Sequence, residues 1–111
     1  MGWQFSHGPA RPGHPFDGFH SRTYTQVSEW VDAVTGSLPA PDVAALAPLL
    51  DRLDDVSPAD PFDLHPVTAA QLVPVLRRSV ARMPRRQREL TAALADAAQR
   101  AAAAGQPWHW S

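Results

Sequence analysis

The sequence predicts an α+β fold, mostly α, with about four helices at roughly 27–36, 41–53, 66–83 and 85–104. A minimal sheet is expected from residues 3–7 and 107–110, joined by 61–64 or 22–25. Three observations carry this. Apolar residues recur at three- and four-residue spacing over most of the stretch from Thr25 to Ala104. Both ends alternate instead, as Trp3-Gln4-Phe5-Ser6-His7 and Trp108-His109-Trp110. The length of 111 residues, 44% hydrophobic and free of cysteine, suits one domain (1–111) with a core that needs no disulfides.

The first strand sets Trp3, Phe5 and His7 on one side. Residues 8–20 hold three Pro and three Gly and read as a loop, long for a compact domain. Phe16 and Phe19 are placed to pin part of it to the body. Val27, Trp30, Val31, Val34 and Leu38 then fall at helical spacing, with Thr25 or Ser28 as cap and Gly36 as the end. The second helix opens at Pro41, with Asp42 favoured by the positive helix end and Val43, Leu46, Ala47, Leu50 and Leu53 as its stripe.

Residues 54–61 form a turn-rich linker. The third helix starts at Pro66, or slightly later if Thr68 and Gln71 form a capping box, with Val73, Leu76, Val80 and Met83 inward. Pro84 separates it from the fourth helix, lined by Leu90, Leu94, Ala97, Ala101 and Ala104 and stopped by Gly105 and Pro107. Pro48 and Pro74 fall inside helical patterns and predict a kink or break at each. They belong to a short internal echo, Leu46-x-Pro48-x-Leu50-x-Arg52 and Leu72-x-Pro74-x-Leu76-x-Arg78. Seven residues are too few to make a repeat fold.

Several chemistries lose their footing here. Without cysteine there is no thiolate metal site and no thiol nucleophile. The histidines His7, His14, His20, His65 and His109 follow no ligand spacing, so neither a metal nor another cofactor is expected. His65 precedes a helix start, where a neutral, structural imidazole is favoured. No Gly-x-Ser-x-Gly elbow or Gly-rich phosphate loop occurs, and no catalytic residues are assigned. The opening residues lack the features of a signal peptide and no apolar run is long enough for a membrane span, so a cytoplasmic location is expected.

Charge is segregated. Residues 42–63 carry Asp42, Asp51, Asp54, Asp55, Asp60 and Asp63 against Arg52 alone. Residues 77–88 carry six arginines and no acid. One arrangement packs the acidic and basic helices antiparallel, so that Asp51 and Asp55 meet Arg78 and Arg82. The other leaves Arg78, Arg82, Arg85, Arg86 and Arg88 open to a nucleic acid or another anion. Arg85 and Arg86 oppose the dipole at the start of the last helix, a conflict that a bound anion relieves. The stretch 72–106 has no aromatic residue to stack on bases. Of the terminal aromatics, Trp3, Trp30 and Trp110 are expected to be buried, and Phe16, Phe19 or Trp108 partly exposed as partner anchors.

The opening Met1-Gly2-Trp3 with Ser6-His7-Gly8 is one of three short signatures. The others are Asp60-Pro61-Phe62-Asp63-Leu64-x-Pro66 and Asp96-Ala97-Ala98-x-Arg100-Ala101-Ala102 followed by Pro107-Trp108-x-Trp110. Together they resemble a group of small uncharacterised actinobacterial proteins with a domain-of-unknown-function label. The resemblance implies a free-standing single domain and brings no catalytic residue. The sequence therefore favours a small, soluble, non-enzymatic protein-interaction module: an inhibitor, an immunity-type protein or an accessory subunit. Its contact surface would come from Phe16, Phe19, Asp51, Asp54, Asp55 and Trp108. The alternative is an anion or nucleic-acid binder using the cluster at 77–88.

Overall fold

A computed structural model of the protein describes residues 2–7, 20–53 and 62–110, with side-chain environments for 25–53 and 62–110. The described residues are mostly helical. Four strands, β1 (Gly2–His7), β2 (His20–Thr23), β3 (Phe62–Leu64) and β4 (Trp108–Trp110), form one antiparallel sheet in the order β2-β1-β4-β3. The two ends of the fold pair as expected: Phe5 opposes Trp110, Ser6 opposes His109 and His7 opposes Trp108. Both segments offered as a further strand join the sheet, one on each edge. His20 opens β2 instead of closing the preceding loop.

The alternation of β3 and β4 sends Phe62, Leu64, Trp108 and Trp110 inward, while Asp63 is exposed and His109 half-buried. Trp108 is therefore fully buried, not the partly exposed anchor the sequence suggested. Any register that buries Trp110 must bury its neighbour two residues back. Arg52, the single base of the acidic stretch, lies 5.3 Å from the Phe62 ring centroid and covers it.

Helix α1 (Tyr24–Ser37) begins directly after β2, so Thr25 and Ser28 lie inside it and do not cap it. Gly36 is also internal and does not end the helix; Gly105 alone among the described residues has a positive φ. The stop comes from Pro39, which has no N–H to offer the helix. An alanine Cβ at Gly36 would meet nothing within 4 Å. Gly36→Ala is expected to stabilise the fold by about 0.5–1 kcal/mol, read as a rise in the thermal unfolding midpoint.

The single helix expected at 41–53 is two: α2 (Ala40–Ala45) and α3 (Ala47–Leu53). Pro48 breaks it as anticipated, and Leu46 turns between the halves. Helix α4 (Pro66–Ser79), by contrast, continues past Pro74 without a break. Leu72, Val75 and Leu76 are buried on both sides of that proline, and α4 packs along α5. Tertiary burial there outweighs one missing hydrogen bond. The inward face of α4 is Ala69, Leu72, Val75, Leu76 and Ser79, not the stripe through Val73 and Val80, which are half-buried.

His65 caps α4: its Nδ1 accepts from the Val67 N–H at 3.1 Å, so the helix starts at Pro66 and Thr68 is not its cap. The ring therefore has a structural role, as expected. A 3₁₀ turn at Val80–Arg82 and another at Arg85–Gln87 flank Pro84 before α5 (Arg88–Ala104). Gly105, at φ 63°, ends α5, with Gln106 N–H donating to the Ala101 carbonyl at 3.0 Å. Helix α5 packs against both α4 and the sheet, so it buries Thr91, Ala95 and Ala98 as well as the expected Leu90, Leu94, Ala97 and Ala101; Ala104 is exposed.

Candidate functional site

The six arginines of 77–88 do not act as one patch. Arg78 donates from Nη2 at 2.6 Å and Nε at 3.1 Å to Oδ1 of Asp42, a carboxylate only 6% exposed. The expected partners were Asp51 and Asp55. The difference follows from the break at Pro48: α2, which carries Asp42, packs on α4, and Asp51 on α3 is left exposed. Arg77 pairs with Asp96 at 2.8 Å and donates to Gln99 on the facing helix. Arg88 turns back to the Met83 carbonyl, with Nε at 3.1 Å, and pins the corner between α4 and α5.

Of the set expected to bind an anion, Arg78 and Arg88 are thus each engaged within the fold through at least one donor. Arg82, Arg85 and Arg86 remain exposed, and among the described residues no ion pair or hydrogen bond occupies their side chains. All three stand on the two 3₁₀ turns around Pro84. Arg82 closes the first turn, and Arg85 and Arg86 open the second, which has no side-chain cap. Of the residues expected to meet a partner, Asp51 is exposed and Trp108 is buried. Phe16, Phe19, Asp54 and Asp55, with the Pro/Gly segment 8–19, lie outside the described residues.

A groove of about 230 Å³ adjoins the corner. Gln26 and Glu29 line it from α1, and Arg86, Gln87, Glu89 and Leu90 from the start of α5. Beneath it runs a buried relay. The Trp30 Nε1–H donates to Thr91 Oγ1 at 2.9 Å, and that hydroxyl donates to the Gln87 carbonyl at 2.7 Å. The relay fixes the backbone of Gln87 against α1. Sequence reading missed this groove, because Gln26, Glu29 and Gln87 meet only once α1 lies across the start of α5. The one local signal was a threonine on the inward face of an alanine-rich helix.

The sheet register makes a second arrangement that the sequence did not show. Ser6 and Asp63 stand opposite His109 on its two flanks, and His109 Nδ1 lies 2.5 Å from Asp63 Oδ1. A serine, an imidazole and a carboxylate in that order resemble a nucleophile, base and orienting acid. The side chain of Ser6 lies outside the described side chains, and Asp63 holds the imidazole at Nδ1. The dyad ties β3 to β4. Among the described residues no group of three His, Asp or Glu side chains is placed to hold a metal ion, and no helix is long and apolar enough to cross a membrane.

No curated protein and no solved structure matches the chain. A family model described as Domain of unknown function (DUF7739) matches residues 13–111.

Proposed function

We propose, from the premise that the chain belongs to this domain-of-unknown-function family, that it is a non-enzymatic interaction module whose corner of Arg82, Arg85 and Arg86 receives an acidic segment of a partner protein. One observation carries the reading. Where Arg77, Arg78 and Arg88 engage donors inside the fold, no hydrogen bond or ion pair among the described residues occupies those of Arg82, Arg85 and Arg86. Guanidinium forks suit carboxylates, and an uncapped helix start favours negative charge. The contact surface thus moves from the acidic stretch to the basic corner. The lack of cysteine is consistent with a reducing compartment such as the cytoplasm.

A polyphosphate is the weaker fit. The chain has a formal net charge of −1, and Glu29 and Glu89 line the adjoining groove, where they repel a nucleic-acid backbone. An acidic peptide can meet that mixture, since it brings backbone N–H donors along with its acids. The test is fluorescence anisotropy with labelled polyglutamate and with a DNA duplex of equal charge. Polyglutamate is expected to bind, more weakly as salt rises. The triple variant Arg82→Ala/Arg85→Ala/Arg86→Ala should bind about tenfold more weakly, from roughly 0.5 kcal/mol per exposed charge. Tighter binding of the duplex would install the nucleic-acid reading instead. No binding of either would remove the arginine corner from consideration.

A further inference from the structure

The Gln87 side chain is the misfit of this molecule. It is only 8% exposed, yet among the described residues no hydrogen bond reaches its carboxamide. The amide atoms themselves are not sealed from water, so they stand open to an incoming group. The position of Gln87 is not an accident of a loose loop, since the Trp30–Thr91 relay locks the Gln87 carbonyl from below. What lies on its open side is the groove shared with Arg86 and Glu29.

We propose that this groove is a peptide-reading pocket: Gln87 pairs with a main-chain peptide group of the partner, and Arg86 takes the carboxylate of an aspartate beside it. A carboxamide offers one donor and one acceptor side by side, the complement of a peptide unit's C=O and N–H. A bare carboxylate brings no donor at neutral pH, and phosphate, which does carry P–OH donors, brings up to two negative charges beside Glu29. Arg86 is exposed, has no partner among the described residues and stands next to Gln87 in the chain. Glu29 faces the same space from α1 and sets a limit on negative charge. One carboxylate on Arg86 is accommodated, and a second close to Glu29 is repelled. The volume of about 230 Å³ admits a residue or two, not a folded surface. This inference rests on the acidic-partner reading and adds to it what is read beyond charge.

The test uses the full chain and a capped tripeptide, acetyl-Gly-Asp-Gly-amide, followed through the side-chain N–H signals of Gln87 and Arg86 in ¹H–¹⁵N correlation spectra. The expected result is a saturable shift of both. The Asn counterpart should bind several-fold more weakly, and inorganic phosphate should leave the Gln87 signal in place. Gln87→Met should weaken the aspartyl peptide several-fold. An unmoved Trp30 indole signal in that variant would report an intact fold. Glu29→Gln, at an exposed position, should tighten binding. The proposal is overturned if the aspartyl peptide leaves the Gln87 signal unmoved, if phosphate shifts it equally, or if Gln87→Met binds as wild type does. Polyglutamate binding to wild type beside a silent Gln87 signal would overturn the pocket and leave the arginine corner standing; loss of both would overturn both.

Discussion

Trp110→Ala is expected to cost about 3–5 kcal/mol, the largest effect of any single truncation at the sheet–helix interface. Trp110 is fully buried and sits on a central strand of the sheet. Its ring stacks on Phe62 at a centroid distance of 5.7 Å and 10° between planes, and it meets the edge of Trp108 at 5.3 Å and 63°. Its backbone opposes Phe5 on β1 and Phe62 on β3. Removal therefore opens a cavity where two strand pairs and the helical layer meet, and three-residue strands have little else to hold them. Domains of this size are stable by about 5–15 kcal/mol, so the variant approaches the unfolding threshold. Urea titration is the measurement: the midpoint should fall with the slope unchanged. Adding Phe62→Leu to Trp110→Ala should cost about 0.5–1.5 kcal/mol less than Phe62→Leu alone, because the stacked pair is already broken. A loss below about 1 kcal/mol for Trp110→Ala would mean that the sheet is not part of the cooperative fold.

The success of the strand pairing shows what period-two alternation can carry. Trp108-His109-Trp110 and Trp3-Gln4-Phe5 each declare an inner face, and short terminal strands have few other ways to bury two indoles. The same logic contained the answer for Trp108 and was overruled by a guess about partner anchors. Helix phase was read less well. Along α4 the apolar residues are dense enough that a stripe through Val73 and Val80 fits nearly as well as the true one through Leu72 and Ser79. A buried serine decides it: Ser79 Oγ donates to the Val75 carbonyl at 2.6 Å, so its hydroxyl is satisfied within its own helix. Local sequence does not display that rescue.

The candidate site was legible only in part, and the reason is again tertiary. Six arginines in a row of twelve residues announce a charge, but they do not say which of them the fold will consume. Arg78 is claimed by Asp42 because the helix breaks at Pro48 and its first half, not its second, lies against α4. The break was foreseen; its consequence for pairing was not drawn. Gln87 gave no signal, being an ordinary polar residue at the head of a helix. What marks it is its place in the groove between α1 and the start of α5, a property of three dimensions.

Thr91→Val is expected to cost about 2 kcal/mol although it changes the shape of the core very little. The hydroxyl does two tasks: it accepts the Trp30 indole N–H at 2.9 Å and donates to the Gln87 carbonyl at 2.7 Å. Valine fills the same volume and does neither. Trp30 is fully buried, so its indole N–H would lose its partner in a place water does not reach. A buried donor stripped of its acceptor costs about 1–3 kcal/mol, more than the bond itself contributes. That asymmetry gives the test its discrimination. Thr91→Ser keeps both bonds and should lose well under half as much. Trp30→Phe removes the donor, so Thr91→Val made in that background should cost less than about 0.5 kcal/mol beyond Trp30→Phe itself. Chemical denaturation of the four proteins closes the cycle. If the threonine methyl alone mattered, serine would be the damaging substitution and valine the harmless one. The groove supplies a second readout, because a relay that no longer holds the Gln87 carbonyl should also weaken the aspartyl peptide in Thr91→Val and spare it in Thr91→Ser.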